Sequence, residues 1–344
     1  MAGEVEQRAA PSLADKVAFL KQPGSYPKPT LRMEAVETHI SWVFLTDAFA
    51  YKLKKPVRYE YLDFSTPEAR RLDCEEELRL NRRLAAEVYL AVAPLMLGPD
   101  GSLNLRGQGR PLDWLVQMRR LPAERMLDAL IRQRAVTEGE VRGLARKLAA
   151  FYAGSVQERM SAEAYRQRLA GEIAKNLEEL SRPEFRLPTQ RLVRIAEAQS
   201  AFLQRQPALL DARVAQGRIV EGHGDLRPQH VCLTPEPVVI DCLEFKRDFR
   251  ILDPLDELGY LALECERLGM PEIGPWLLPA YSEASGDRWP APLLHFYQSC
   301  RASLRAKLAI WHLQDDGRHP PEKWIRATHE YLDLAERHIE QARA

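Results

Sequence analysis

No stretch of this chain approaches the roughly 20 apolar residues that a helix needs to cross a bilayer. The opening residues, Met1 to Ala10, place Glu4, Glu6 and Arg8 where a secretory leader requires an apolar core. A soluble, cytoplasmic protein without a membrane partner is therefore expected. An excess of one charge is missing too: 49 Lys and Arg stand against 49 Asp and Glu, so no global field would hold nucleic acid, and no nucleic-acid partner is expected. Cysteine is sparse and patternless. Cys74, Cys232, Cys242, Cys265 and Cys300 are odd in number and widely spaced, with no C-x-x-C, which argues against a disulfide framework or a zinc knuckle and for reduced core residues. Internal repeats and low-complexity tracts are absent as well.

What the chain does contain is a His223-Gly224-Asp225 turn followed by a short apolar hairpin. The hairpin runs through Val231-Cys232-Leu233, turns at Thr234 to Pro237 and ends in Val238-Val239-Ile240-Asp241. A loop acid beside a hydroxyl and a second acid at a strand end, facing Mg²⁺, are two of the groups needed to move the terminal phosphoryl of ATP. The surrounding pattern divides in two. Up to about Met118 the sequence predicts a small mixed lobe. It has a helix over Leu13–Lys21, a hairpin of Glu37–Leu45 and Ala48–Leu53 about Thr46-Asp47, a helix over Glu68–Leu84, and strands over Val88–Leu97 and Trp114–Met118. From 119 to 344 the periodicity is mainly helical. A Thr137/Glu140 capping box starts a helix to about Tyr152, Asp253-Pro254 opens another to Leu268, and further helices cover 162–180, 190–206, 291–314 and 321–342. The expected fold class is α+β, with an antiparallel sheet plus helix in the first lobe (1–118) and a larger helical second lobe (119–344).

Lys52 falls on the second strand of the hairpin, and alternation puts Lys54 on the same face and Lys55 on the other. Paired with Glu76 or Glu77 on the next helix, Lys52 would orient the α- and β-phosphates of a nucleotide. The order of parts is strand lysine, helix glutamate, the connector Val116-Gln117-Met118-Arg119-Arg120-Leu121-Pro122, then His223-Gly224-Asp225 and Ile240-Asp241. With the segments E-T-H-I-S-W-V-F-L, Y-K-L-K-K-P-V and H-G-D-L-R-P-x-H, it resembles the aminoglycoside phosphotransferase family of kinase-like enzymes, and within it a bacterial branch that carries the same H-G-D-L-R-P-x-H loop. The resemblance implies a bilobal protein-kinase-like fold and ATP with Mg²⁺ as cofactors.

By position, it makes Asp225 the catalytic aspartate and Asp241 the metal ligand. Lys52, Glu77, Ser41 (with Thr38) and the main chain of Gln117, Met118 and Arg119 would bind the nucleotide. His223 and Gly224 would support the loop, Glu244 would line the site, and Asp253 or Asp256 would bond the loop from behind. Two departures stand out. His230 occupies the place of the family's second metal ligand, an asparagine; it either ligates a metal, with a lean towards Mn²⁺ or Zn²⁺, or only packs. No G-x-G-x-x-G lies between Val36 and Lys52.

Three functions remain open on this reading. The first is phosphoryl transfer from ATP to a hydroxyl of a small molecule, such as a sugar, an amino sugar or an aminoglycoside-like compound. The second is a pseudokinase or an AMP transferase acting on proteins. The third is a metal-dependent hydrolase built on His223, Asp225, His230 and Asp241. Glu244, Asp248, Asp253, Asp256, Glu257, Glu264 and Glu266 cluster downstream, and the basic residues interleaved with them suggest a solvated helix surface rather than an acidic rim. Oligomeric state and acceptor identity are not encoded in any pattern found.

Overall fold

The computed structural model describes residues 11–59, 62–314 and 320–343; the reading made for Met1 to Ala10 lies outside these. The chain divides into two compact units, one of Met1–Pro122 with Val239–Arg247 and one of Ala123–Val238 with Asp248–Ala344.

In the first unit α1 (Leu13–Leu20) is followed by β1 (Glu34–Glu37), β2 (Ser41–Leu45), β3 (Phe49–Lys54) and the small pair β4 (Arg58–Tyr59) and β5 (Leu62–Asp63). Then come α2 (Pro67–Ala85), β6 (Tyr89–Leu97), β7 (Leu103–Asn104) and β8 (Arg110–Arg119). The six main strands form one antiparallel sheet in the order β1-β2-β3-β8-β6-β7. Alternation along β3 separates two environments. Tyr51 and Leu53 join Phe44, Leu95 and Leu115 in a core closed by Val17 and Leu20 of α1, where each fully buried aliphatic side chain contributes about 1.5–3 kcal/mol. Lys52 and Lys54 point the other way, to α2.

The stretch expected as one strand from Glu37 is broken, because Thr38 closes a turn. Its Oγ1 accepts from the Ser41 N–H and donates to the Ser41 carbonyl, both at 3.0 Å, and such side-chain bonds compete with the strand ladder. Behind the sheet, Asp113 of β8 is buried with two cations. Arg70 of α2 grips it with Nε and Nη2 at 2.8 Å each, and Lys16 of α1 reaches it at 2.7 Å.

The second unit is mostly helical. It contains α3 (Leu127–Arg132), α4 (Glu138–Ala153), α5 (Ala162–Leu180), α6 (Thr189–Arg205) and α7 (Pro207–Ala215), then β9 (Val220–Glu221), β10 (Val231–Cys232), β11 (Val238–Val239) and β12 (Ile251–Leu252). It closes with α8 (Pro254–Arg267), α9 (Ile273–Ser285), α10 (Ala291–Trp311) and α11 (Pro321–Gln341). The Thr137/Glu140 capping box is present at the start of α4. Two apolar clusters hold the helices: one joins α5, α6, α7 and α10 through residues such as Phe202, Phe296 and Leu210, the other joins α6, α8, α10 and α11 through Leu263, Ala306 and Tyr331. Helix α9 was not among the elements expected, since Gly274 and Pro279 oppose helix locally. Packing overrides them, with Ile273, Leu277, Ala280 and Tyr281 buried at helical spacing.

Replacing Asp113 by alanine strands two buried cations, so the variant is expected to lose about 3–5 kcal/mol. Urea unfolding of D113A against the wild type measures this; a change within about 0.5 kcal/mol would contradict the assignment of Asp113 as the tie between α1, α2 and the sheet.

Candidate functional site

In the first unit, two lysines share one glutamate. Lys52 Nζ lies 3.0 Å from Glu77 Oε1, and Lys54 Nζ lies 2.7 Å from Glu77 Oε2. Glu77 and Lys54 have no exposed side-chain surface. Glu76, the rival partner, sits on the outer side of α2 and pairs with Arg79. Lys52 also reaches Asp241 Oδ1 at 2.9 Å, and Lys54 reaches Glu244 Oε1 at 2.5 Å and Asp73 Oδ2 at 2.5 Å. Burial alone would strip the proton from Lys52; the carboxylates of Asp241, Glu77 and Glu244 outweigh it and hold the ammonium charged.

Segment 239–247 belongs with this unit, although residues on both sides of it in sequence belong with the other. Besides the two lysine contacts, the Asp241 N–H donates to the Tyr89 hydroxyl at 3.1 Å and the Cys242 N–H to Asn81 Oδ1 at 2.9 Å. Asp241 adopts φ +61°, in the left-handed region that non-glycine residues seldom occupy. That backbone is fixed on both sides, while the Asp241 side chain keeps 46% of its surface exposed. Asp241 thus combines a strained, tethered backbone with a partly exposed carboxylate that pairs with Lys52.

The His-Gly-Asp loop lies in the second unit and is braced by Glu257 of α8. This carboxylate accepts from the His223 N–H at 3.0 Å and the Gly224 N–H at 2.5 Å, and Tyr152 donates to it at 2.7 Å. Two glycines permit the arrangement. Gly224 takes φ +91°, and a Cβ at Gly222 would meet Glu257 Oε2 at 2.8 Å.

Asp225 itself is clasped from both sides. Tyr260 donates to Oδ1 at 3.2 Å, and Arg227 donates to Oδ2 through Nε at 3.0 Å. Burial would raise its pKa, but the charges of Arg227, His230, Arg305 and His223 prevail and hold it at about 2. His230 Nδ1 bonds the Asp225 carbonyl at 2.7 Å, and its Nε2 meets Arg227 Nη2 at 3.3 Å. Both ring nitrogens thus serve the loop. His223 Nδ1 accepts the Asp225 N–H at 3.3 Å.

The remaining expected site residues fall in varied places. Ser41 is fully buried opposite Lys54 in the β2–β3 register, and its hydroxyl has no partner among the described residues. Gln117, Met118 and Arg119 are paired on both edges of β8, with β3 on one side and β6 and Val88 on the other. Their main-chain groups are therefore spent in the ladder, and Leu121 is the first residue whose N–H is not so engaged. Asp253 caps α8 and binds Arg213 through both oxygens, and Asp256 binds Arg301 likewise. Neither touches the loop backbone; Glu257, one residue further and about 100° around the helix, does so instead. The downstream acids are not a solvated surface either. Glu244, Asp253, Asp256, Glu257 and Glu264 are buried, because Lys54, Arg213, Arg301, Arg305 and the loop amides neutralise them.

A profile described as the phosphotransferase enzyme family matches residues 50–296, and the chain belongs to that family. Uncharacterized proteins of Mycobacterium tuberculosis and Mycobacterium bovis are 33% identical over 309 residues, 89% of this chain and 59% of theirs. The chain thus spans about 59% of the length of these curated relatives. Among solved structures, similarity extends to a choline/ethanolamine kinase family protein from Mesorhizobium loti, with TM-score 0.57 and 17% identity over 95% of this chain and 98% of that one. It extends also to a choline kinase from Cryptosporidium parvum, with TM-score 0.53 and 9% identity over 95% of each chain. A thermostable mutant of an aminoglycoside phosphotransferase gives TM-score 0.53 and 10% identity over 91% of this chain and 95% of that one. At these identities the shared property is the kinase-like α+β fold. No helix among the described residues is long and apolar enough to cross a membrane.

The depressed pKa of Asp225 has a definite sign. With about 2 in the folded protein against about 3.9 unfolded, the ionised carboxylate stabilises the fold above about pH 4, and this is lost as pH falls through about 2. Arg227→Met is expected to raise that pKa, so that the stability lost on acidification is smaller and is complete at a higher pH. Urea unfolding from pH 2 to 7 measures it; identical pH dependence in wild type and R227M would contradict the account.

Proposed function

We propose that the protein transfers the γ-phosphoryl group of ATP to a hydroxyl of a small molecule. The observation that carries this reading is the joint placement of Lys52, Glu77 and Asp241 in one ion-pair cluster, in a chain of the phosphotransferase enzyme family. The relatives of similar fold are, by name, kinases of choline and ethanolamine and an aminoglycoside phosphotransferase, which supports an alcohol of low molecular weight as acceptor.

In this mechanism Lys52, kept charged and aimed by Glu77, binds the α- and β-phosphates, and the main chain beyond β8, at Leu121, takes the adenine. Asp241 would hold Mg²⁺. Among the described residues no group of three or more His, Cys, Asp or Glu could hold a metal. One open carboxylate with hard oxygen donors fits Mg²⁺, which is commonly bound by one or two carboxylates, substrate phosphates and water. When bound, that ion neutralises charge on the phosphate oxygens.

Asp225 orients the acceptor hydroxyl. A carboxylate with pKa about 2 is a weak base, so it aligns the nucleophile by hydrogen bond and receives its proton late, as a loose transition state allows. His230 closes the catalytic loop through its two ring nitrogens rather than ligating metal. The same bonds engage both ring nitrogens of His230, which weighs against the hydrolase reading.

Asp225→Asn is expected to lower turnover by about 10³-fold or more while leaving nucleotide affinity within a few-fold. Asp241→Asn is expected to weaken Mg²⁺-dependent ATP binding. Steady-state ADP release and calorimetric titration with ATP measure both, and a D225N variant as active as wild type would remove the mechanism.

A further inference from the structure

The helices beside Asp225 carry a charge pattern that the phosphotransferase reading leaves unused. On α8, Asp256, Tyr260 and Glu264 recur every four residues and so share one stripe; on α10, Arg301 and Arg305 do the same. The stripes meet as a ladder. Arg301 binds Asp256 through Nε at 2.8 Å and Nη2 at 2.6 Å, and Arg305 Nε reaches Glu264 Oε1 at 3.2 Å. Between the rungs, the Tyr260 hydroxyl donates to Asp225.

Anionic and cationic members of this ladder differ in what they have left over. Glu264 is 1% exposed and is also bonded by the Tyr331 hydroxyl at 2.7 Å; Asp256 is 9% exposed and held by both its oxygens. Arg305, in contrast, bonds only through Nε. Its Nη1 and Nη2 have no partner among the described residues and are not closed off from solvent, and the side chain keeps 19% of its surface exposed. Nη1 of Arg227, against the other oxygen of Asp225, is likewise uncommitted. Hence Arg305 and Arg227, both of which bear on Asp225, keep guanidinium nitrogens with no partner among the described residues.

We propose that the acceptor is an acidic alcohol, a hydroxy acid or a sugar acid or phosphate, whose oxyanion is bound by Arg305. The edge formed by Nη1 and Nη2 still has N–H groups to give, and such an edge matches a carboxylate or phosphate and repels an ammonium group. The proposal deepens the phosphotransferase reading and rests on it for the phosphoryl step. In that step the acceptor oxygen bonds to the γ-phosphorus as the bond from phosphorus to the β–γ bridging oxygen breaks. ADP leaves with that electron pair, and the hydroxyl proton passes by way of Asp225 to solvent or to the product phosphate. Consistent with the placement, the charge of Arg305 is among those that keep Asp225 ionised.

The test uses acceptors matched in shape and varied in charge: glycerate, glycerol and 3-amino-1,2-propanediol, and gluconate, glucose and glucosamine. ADP release gives kcat/KM for each. The wild type is expected to favour the acid over the neutral alcohol by about tenfold or more, with the amine last. Arg305→Gln is expected to abolish that preference through the KM of the acid, and Arg305→Lys to restore part of it. A wild type that prefers the neutral or amino member, or an R305Q variant that slows acidic and neutral acceptors equally, would overturn the proposal; the second outcome would assign Arg305 to the transferred phosphoryl group.

Calorimetric titration with gluconate in the absence of nucleotide supplies a readout independent of turnover. Saturable binding weakened about tenfold or more in R305Q is expected, and absent or unchanged binding would overturn the acidic-ligand site. If gluconate binding depends on Arg305 but no compound receives phosphate from ATP, the phosphotransferase reading fails and the anion site stands.

Discussion

A carboxylate shut away from water needs cations or hydrogen-bond donors around it, and Glu77 imposes that condition on the first unit. It takes Lys52 and Lys54 together, so β3 must direct both lysines towards α2 and leave its other face to the apolar core. The lysines in turn draw in Asp241 and Glu244, which docks segment 239–247 on the same unit. Leaving any partner of such a buried set uncompensated costs about 3–5 kcal/mol, so the cluster specifies geometry as much as it stabilises. Its outcome is an ammonium group held charged in a buried setting and an acid held in a strained backbone with its side chain partly exposed.

The second unit meets the same requirement with arginines. Glu257 accepts hydrogen bonds from the amides of the His-Gly-Asp turn, and Arg227 with Tyr260 fixes both oxygens of Asp225. An immobilised aspartate with a depressed pKa gives little driving force for removing a proton and much control over where a hydroxyl points. Phosphoryl transfer through a loose transition state asks for the second property. Replacing the family's asparagine by His230 fits this view, since an imidazole can bond the Asp225 carbonyl and meet the guanidinium of Arg227 at once, which holds the loop acid and its cation in register.

Much of this was legible in the sequence where local periodicity decides. Strand alternation put Lys52 and Lys54 on one face, helical spacing offered Glu77 to them, and the His-Gly-Asp turn with its hairpin and following acid stood out by order alone. Orientation around a helix was not legible. Asp253, Asp256 and Glu257 are all acids in or beside the first turn of α8, and only the direction from which the loop approaches selects Glu257. Burial was misread for the downstream acids because their partners Arg213, Arg301 and Arg305 lie 40 to 45 residues away in sequence, beyond the reach of any local pattern. The turn at Thr38 and the extra length of β8, which occupies the main chain of Gln117 to Arg119, depend on a side-chain hydrogen bond and on flanking strands.

The central claim, that ATP gives up its terminal phosphoryl to an alcohol, is tested most directly by isotope fate. Protein incubated with Mg²⁺, a mixture of alcohol acceptors and ATP labelled at either the γ- or the α-phosphorus should move the γ label into a new phosphate ester and leave the α label in ADP. Appearance of the α label on an acceptor or on the protein, or no consumption of ATP with any acceptor, would contradict the account.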